Sequence, residues 1–247
     1  MMMIVAAAAI KTKNDAVDQN IEEIDRIMLR VQRLGAAYLF LGEAVLNGFD
    51  GLQWIYDEDY RKHAIEADGK IMQRLASLCS KHSIGLGVGF YEKSKGKIFS
   101  SYLIMNETGD IKAKYQRNSQ GWKCGSVTDS RYQEGSKYEV IELGSTQCLL
   151  AICGDLWTEH FLNGIQEMTF DTILWPLYID YSTEEWIHEA RSLYCEQVKK
   201  INKRTIMINA INEDEGGASG GVMIITENGS VEDEVEMNSD RILVFEL

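Results

Sequence analysis

The chain has 247 residues, and its 38 acidic side chains outnumber the 25 basic ones, which gives a formal net charge of −13. No segment gathers Lys and Arg into a basic stripe, so nucleic acid is not an expected partner. Hydrophobic residues make up 45% of the chain and charged residues 26%, values that exclude a disordered or collagen-like protein. The length predicts a single domain over residues 1–247.

The five cysteines are an odd number, contain no C-x-x-C pair and have no histidine at metal-ligand spacing. The sequence therefore predicts neither a disulfide framework nor a zinc site, and we expect no cofactor. The N-terminal apolar run breaks at Lys11, too early to span a bilayer. We expect a cytoplasmic protein whose cysteines remain thiols.

The first third of the chain reads as strand, helix, strand, helix. Residues 3–10 are apolar and β-permissive, and apolar residues then recur at helical spacing over 16–34, before Gly35. Residues 37–41 predict a buried strand, and residues 60–82 predict a second amphipathic helix. This order is typical of a layered α/β fold.

The rest of the chain is richer in strands, which are predicted over residues 84–91, 97–106, 111–117, 138–143, 147–153, 172–175, 205–209, 221–226 and 242–246. The segment 118–135 is rich in Gly, Ser and Asp and predicts an exposed loop. Helices are predicted over 159–168 and 183–200, the second with a capping box formed by Ser182 and Glu185. This pattern fits two architectures about equally well. One is a pair of back-to-back sheets with helices outside each, and the other is a doubly wound sheet.

Three residues with useful chemistry lie at the ends of predicted strands. Cys153 follows an apolar run, where the amides of a turn can stabilise an oxyanion. Glu43 follows another such run and can serve as a general base, and Arg117 closes a hairpin strand. Each has a plainer interpretation: a buried core cysteine, a solvated loop acid and a surface charge. Cys148, on the opposite strand face, is the better candidate for an inert thiol.

Several other features are interpreted as structural. The alternating Gly85, Gly87 and Gly89 predict a strand with one small face instead of a dinucleotide loop, because no helix follows. The glycine-rich segment 216–221 lacks the Lys of a phosphate loop and predicts a turn. The acidic runs 213–215 and 232–234 predict solvated loops. The histidines are scattered, at positions 63, 82, 160 and 188.

The strand-end residues occur in motifs that together resemble the nitrilase superfamily of carbon–nitrogen hydrolases. Residues 43–49 match its Glu-x-x-Leu-x-Gly-aromatic pattern, and residues 152–157 match its nucleophile strand followed by x-Asp-Leu. Tyr115-Gln116-Arg117, after a Gly109-Asp110 turn, lines up with its Tyr-Arg-Lys strand. The family's closing segments are matched by Ala190-Arg191, Asn209 and Gly220-Gly221-Val222-Met223-Ile224-Ile225, which precedes Asn228-Gly229. The resemblance covers nearly the whole chain.

The resemblance implies a four-layer α-β-β-α sandwich that hydrolyses a small amide, carbamoyl compound or nitrile, and it makes a homodimer plausible. Glu43 would take the thiol proton and Cys153 would attack the substrate carbon. The Gly154 amide and the cation at position 117 would stabilise the oxyanion.

Two departures from the family's motifs affect the cation. Arg117 stands where the family has a lysine, and Asp129 aligns best with a second family glutamate that braces it. Lys114 would face the other side of the strand. Arg for Lys and Asp for Glu could be one coordinated change that keeps an ion pair. The alternative is drift in a protein that no longer catalyses and binds a ligand or partner instead.

Overall fold

Two six-stranded β-sheets pack face to face, and the helices cover their outer sides. The computed structural model describes residues 2–212 and 217–247. The first sheet has the order β14-β1-β3-β4-β5-β6. Its strands are β1 Ile4–Ala8, β3 Tyr38–Phe40, β4 Gly85–Ser94, β5 Lys97–Met105, β6 Ile111–Gln116 and β14 Ile242–Glu246.

The second sheet has the order β13-β12-β10-β9-β8-β7. Its strands are β7 Val140–Leu143, β8 Thr146–Leu150, β9 Thr172–Pro176, β10 Arg204–Ile208, β12 Val222–Ile225 and β13 Val231–Val235. Each sheet has three parallel central strands with antiparallel strands on both sides. A short parallel pair, β2 Lys11–Thr12 and β11 Ile211–Asn212, was not predicted by the sequence pattern.

The helices form the outer two layers. Helices α1 Val17–Leu34 and α3 Lys70–His82 pack on the first sheet, where Ile24 and Leu75 join the cluster that contains Leu39 and Leu103. Helices α4 Glu159–Ile165 and α6 Arg191–Ile201 pack on the second sheet. The four-layer α-β-β-α sandwich is thus confirmed, and the doubly wound sheet is excluded. No helix in the described part of the chain has the length and hydropathy needed to cross a membrane.

The predicted helix over residues 60–82 is wrong in its first part. The structure has a short helix, α2 Tyr56–Glu58, a π-helical turn over Asp59–His63, and then no helix until Lys70. The backbone leaves the helix because Ile65 forms a β-bridge with Glu92 of β4, and its amide donates to the Tyr91 carbonyl at 2.8 Å. Pairing with a sheet therefore overrides the helical periodicity.

The third long helix is confirmed, although it contains a π-helical turn between α5 Thr183–Glu185 and α6. Its capping box is also present, because the Ser182 hydroxyl accepts from the Glu185 amide at 3.2 Å and the Glu185 carboxylate accepts from the Ser182 amide at 2.9 Å.

The acidic run 232–234 lies in edge strand β13 instead of a loop, and its glutamates pair with Arg204 and Arg191. Charged side chains suit an edge strand because they discourage pairing with another chain. The predicted loop at 213–215 and the first residue of the glycine-rich turn, Gly216, lie outside the described residues.

The alternating glycines of β4 form a strand as predicted, and they position the segment that follows β3. A Cβ at Gly89 would lie 2.5 Å from the Ala44 amide nitrogen and 2.6 Å from the Gly42 carbonyl oxygen. The backbone on both sides of Glu43 therefore rests directly on the small face of this strand.

Candidate active site

Glu43, Arg117 and Cys153 each lie just beyond the end of a strand, β3, β6 and β8 respectively. The fold brings the carboxylate and the guanidinium into direct contact, since Arg117 Nη1 donates to Glu43 Oε1 at 2.9 Å. Both side chains are buried, and the charges of both act on the Cys153 thiol. The structure therefore brings the three predicted residues together at one end of the sandwich.

Glu43 is held by its backbone and by one oxygen of its side chain. Its amide donates to the Leu177 carbonyl at 3.1 Å, and the Ser100 hydroxyl donates to Oε1 at 2.8 Å. The second carboxylate oxygen, Oε2, is buried and has no hydrogen-bond partner among the described residues. An unpartnered buried carboxylate oxygen is costly, so it marks the atom that is available to a substrate or a proton.

The Arg117 guanidinium is fixed on three sides. Nε donates to the Ser119 hydroxyl at 2.9 Å, Nη2 donates to the Gln120 carbonyl at 3.1 Å, and Nη1 donates to Glu43. Burial lowers the pKa of the guanidinium, but the charges of Glu43, Cys153 and Asp155 outweigh burial and raise the pKa above its ordinary value. Arg117 is therefore a permanent and immobile positive charge.

Cys153 occupies a strained backbone position at a sharp turn. Its φ angle is +42°, in the left-handed region that L-residues seldom adopt, and it begins a 3₁₀ helix over Cys153–Trp157. Trp175 Nε1 anchors its carbonyl at 2.8 Å, and its Sγ lies 3.7 Å from the Tyr178 carbonyl oxygen. Such a turn projects a nucleophile away from the strand end.

Burial raises the pKa of the Cys153 thiol to about 11, although the Arg117 charge opposes this rise. The resting thiol is therefore protonated at neutral pH, and it needs a base to become nucleophilic. Cys148 is buried in the core, where burial raises its pKa to about 12.

Asp155 joins the two loops that carry Cys153 and Arg117. One carboxylate oxygen accepts from the amides of Asn118 and Ser119, at 3.0 and 2.7 Å. The other accepts from the Ile152 amide at 2.8 Å and from the Tyr115 hydroxyl at 2.6 Å. Burial raises the pKa of Asp155, although all four hydrogen bonds favour its charged form. Asp155 belongs to a motif quoted above, but nothing in the sequence indicated this bridging role.

Asp129 does not brace the cation, so the expected ion pair with Arg117 is wrong. Asp129 binds Arg131 at 2.6 Å, and these hydrogen bonds lower its pKa to about 2. The cation that Asp129 binds lies in the same loop, two residues away. Sequence spacing could not show which of the two arginines this carboxylate would contact. The acidic partner of Arg117 is Glu43 itself. Lys114 faces the other side of β6, as predicted, and binds Glu92.

Sequence reasoning missed Ser100 and Tyr178, which contact the base and the thiol respectively. Neither carries a local signal. Ser100 is one of two adjacent serines within a strand, and Tyr178 contributes only its backbone carbonyl to the thiol. Gly154 lies in the first turn of the 3₁₀ helix, directly against the Arg117 guanidinium.

A family model described as carbon-nitrogen hydrolase matches residues 4–188. A search of curated proteins finds no significant match. The glutamine-dependent NAD+ synthetase from Acinetobacter baumannii superposes with a TM-score of 0.82 at 17% identity, over 100% of this chain and 45% of that one. This chain therefore spans about half the length of that synthetase.

The NitN amidase from Nesterenkonia sp. AN1 superposes with a TM-score of 0.79 at 17% identity, over 99% of this chain and 92% of that one. A variant of the same amidase, in which acrylamide has added to the active-site cysteine, gives a TM-score of 0.80 at 16% identity, over 99% and 93% of the two chains. At these identities the structures establish a shared fold. Since the family model covers most of the sequence, the chain belongs to the carbon-nitrogen hydrolase family.

Proposed function

We propose that this protein hydrolyses a non-peptide carbon–nitrogen bond in a small amide, carbamoyl compound or nitrile, through a thioester at Cys153. The observation that carries the proposal is the buried Glu43 carboxylate. One of its oxygens accepts from a fixed guanidinium, the other has no hydrogen-bond partner in the part of the chain that the structure describes, and the charge of this carboxylate acts on a protonated thiol.

For an amide, the proposed reaction begins as Glu43 Oε2 takes the thiol proton while Sγ attacks the carbonyl carbon. The carbonyl electron pair moves to oxygen, and the oxyanion is stabilised by the Arg117 charge and the Gly154 amide. When the oxyanion collapses, the carbon–nitrogen bond breaks, and the leaving amine takes the proton from Glu43. A thioester to Cys153 remains.

Water then completes the cycle. Glu43 removes a proton from water, hydroxide adds to the thioester carbon, and the carbon–sulfur bond breaks as the thiolate regains the proton. Arg117 does not take part in proton transfer, because a guanidinium paired with a carboxylate does not release its proton near neutral pH. Glu43 is therefore the proposed proton carrier in both halves of the reaction.

The alternative is a binding module that keeps the fold and has lost turnover. The direct ion pair between Glu43 and Arg117 favours this alternative, because the guanidinium already occupies one oxygen of the carboxylate that would have to take the thiol proton. The two candidates differ in whether an acyl group is transferred to Cys153.

The test is ammonia release from a panel of amides, nitriles and carbamoyl compounds, together with intact mass to detect an acyl adduct. We expect turnover of at least one compound and its loss, by about 10³-fold or more, in Cys153→Ala. Cys195→Ala, which removes a half-buried thiol elsewhere, is the matched control and should retain activity. Absence of both ammonia and adduct across the panel, with ligand binding retained, would support the binding module.

We also propose a homodimer formed through the helices of the second sheet. Ile187 and Leu193 on the long helix are 63% and 58% exposed, and Trp157 beside the nucleophile turn is 44% exposed. Trp157 packs against Tyr194 of the same helix, with ring centroids 5.1 Å apart, and we propose these exposed apolar side chains as the interface. A reducing, cytoplasmic location is proposed for a chain whose five cysteines are all free thiols.

A further inference from the structure

The space around the Arg117 guanidinium is limited by Gly154. A Cβ added at Gly154 would lie 2.6 Å from Arg117 Nη2 and 2.9 Å from the Ser119 hydroxyl oxygen. Contacts below 3.0 Å are essentially never made by real Cβ atoms, so one of the groups would have to move. The guanidinium cannot simply rotate away, because Glu43, Ser119 and Gln120 hold it on its other sides.

The backbone of Gly154 does not itself require glycine. Its φ angle lies outside the left-handed region, unlike that of Gly121 at +94° on the neighbouring loop. An alanine at position 154 is therefore conformationally allowed, and the obstacle is the space taken by the arginine. The glycine at position 154 is therefore explained by packing against the arginine, and not by a backbone conformation that only glycine adopts readily.

We infer that Gly154 is a positioning residue for Arg117: its missing side chain forms the slot that lets an arginine occupy the cation position beside the nucleophile. Gly154 and Arg117 are thus a matched pair, in which a side chain at position 154 and a guanidinium at position 117 exclude each other. A lysine has no atoms equivalent to Nη2, so it removes the closest contact while keeping the charge.

This inference rests on the proposed roles of Cys153 and Arg117, but its test does not need turnover. The readout is the rate at which iodoacetamide alkylates Cys153 as a function of pH, followed by peptide mass spectrometry. All variants carry Cys124→Ser, which removes an exposed competing thiol. Alkylation below the thiol pKa slows about tenfold for each unit by which the pKa rises.

In Gly154→Ala we expect the guanidinium to be displaced, so the thiol loses its nearest positive charge and faces an uncompensated Glu43. The pH profile of alkylation should then move to higher pH, and the rate at pH 9 should fall about tenfold or more. In Arg117→Lys/Gly154→Ala the clash is relieved, and the rate should return to within about threefold of Arg117→Lys alone. Gly125→Ala is the control, because a Cβ there meets nothing within 4 Å.

Two outcomes would overturn the inference. One is an unchanged pH profile in Gly154→Ala, which means that the guanidinium tolerates the methyl group. The other is a double variant as impaired as Gly154→Ala, which means that the glycine serves something other than the arginine. If Gly154→Ala does not fold, a folded double variant supports the pair and an unfolded one refutes it. A protein that turns over no amide still gives the expected alkylation pattern, so the two proposals fail separately.

Discussion

The reactivity of each thiol follows from its surroundings. The charges of Arg117 and Glu43 both act on the Cys153 thiol, but burial keeps the thiol protonated, with a pKa raised to about 11. Cys124 lies in the loop after Arg117 and is exposed. Hydrogen bonds with the side chain and the backbone of Ser126 lower the pKa of its thiol. The thiol that is more readily ionised is therefore not the proposed nucleophile.

We therefore expect substoichiometric iodoacetamide at pH 7.5 to label Cys124 before Cys153, by about tenfold or more, since thiolate fraction and exposure both favour Cys124. Peptide mass spectrometry after short exposure measures the two rates. A substrate amide, in contrast, should acylate Cys153 in preference to Cys124, because Glu43 is proposed to take the thiol proton as the thiol attacks. Faster labelling of Cys153 by the simple reagent would contradict the assigned protonation state.

For single residues, the sequence identified those that follow predicted strands. It did not identify residues whose role depends on a contact with a residue distant in the chain. Glu43, Arg117 and Cys153 could be predicted because each lies at the end of a predicted strand: Glu43 and Cys153 after apolar runs, and Arg117 at the end of a hairpin strand. Asp129 was misassigned because it lies in an irregular loop, where spacing does not determine which cation a carboxylate meets. Ser100 could not be found, because only the antiparallel pairing of β5 with its neighbours turns it towards Glu43.

At the scale of elements, Asp155 connects the end of β8 to the loop after β6. It is buried and accepts four hydrogen bonds, which come from both segments. The relative position of Cys153 and Arg117 therefore depends on one carboxylate that forms no hydrogen bond with either side chain. Strands β6 and β8 belong to different sheets, so this carboxylate fixes the end of one sheet relative to the end of the other.

In Asp155→Asn, one carboxylate oxygen becomes an amide nitrogen that faces hydrogen-bond donors. We expect the free energy of unfolding to fall by about 2–4 kcal/mol, because two donors lose their acceptor in a buried site. Tyr115→Phe is the control: it removes one of the four hydrogen bonds and should cost about 1 kcal/mol. Urea unfolding measures both. A loss in Asp155→Asn no larger than that in Tyr115→Phe would contradict the bridging role.

Most elements could be predicted from periodicity, and the errors share a cause. The segment 59–65 has helical spacing, but Ile65 is drawn onto β4 by backbone pairing with a distant strand. The acidic run 232–234 looks like a loop because its side chains are charged, but its backbone completes the edge of the second sheet. Both outcomes depend on partners remote in sequence, which local patterns do not contain.

At the scale of the molecule, the two sheets have the same arrangement of parallel centre and antiparallel flanks, and the candidate site lies at one end of both. Three large apolar residues are exposed on the outer side of the second sheet: Ile187 and Leu193 on the long helix, and Trp157 at the end of the 3₁₀ helix that begins at Cys153. An interface there would cover Trp157, four residues beyond Cys153. Association of two chains would thereby restrict motion of the turn that carries Cys153.

Ile187→Glu and Leu193→Glu should each convert the proposed dimer into a monomer. The reason is that a buried, unpaired carboxylate costs several kcal/mol at an apolar interface, and in a symmetric dimer the cost is incurred twice. Light scattering after gel filtration measures the mass of each variant. Ile55→Glu, which charges a residue 59% exposed on a loop near the first sheet, is the matched control and should leave the mass unchanged. A wild-type protein that is monomeric at tens of micromolar, or glutamate variants that remain dimeric, would place the interface elsewhere or remove it.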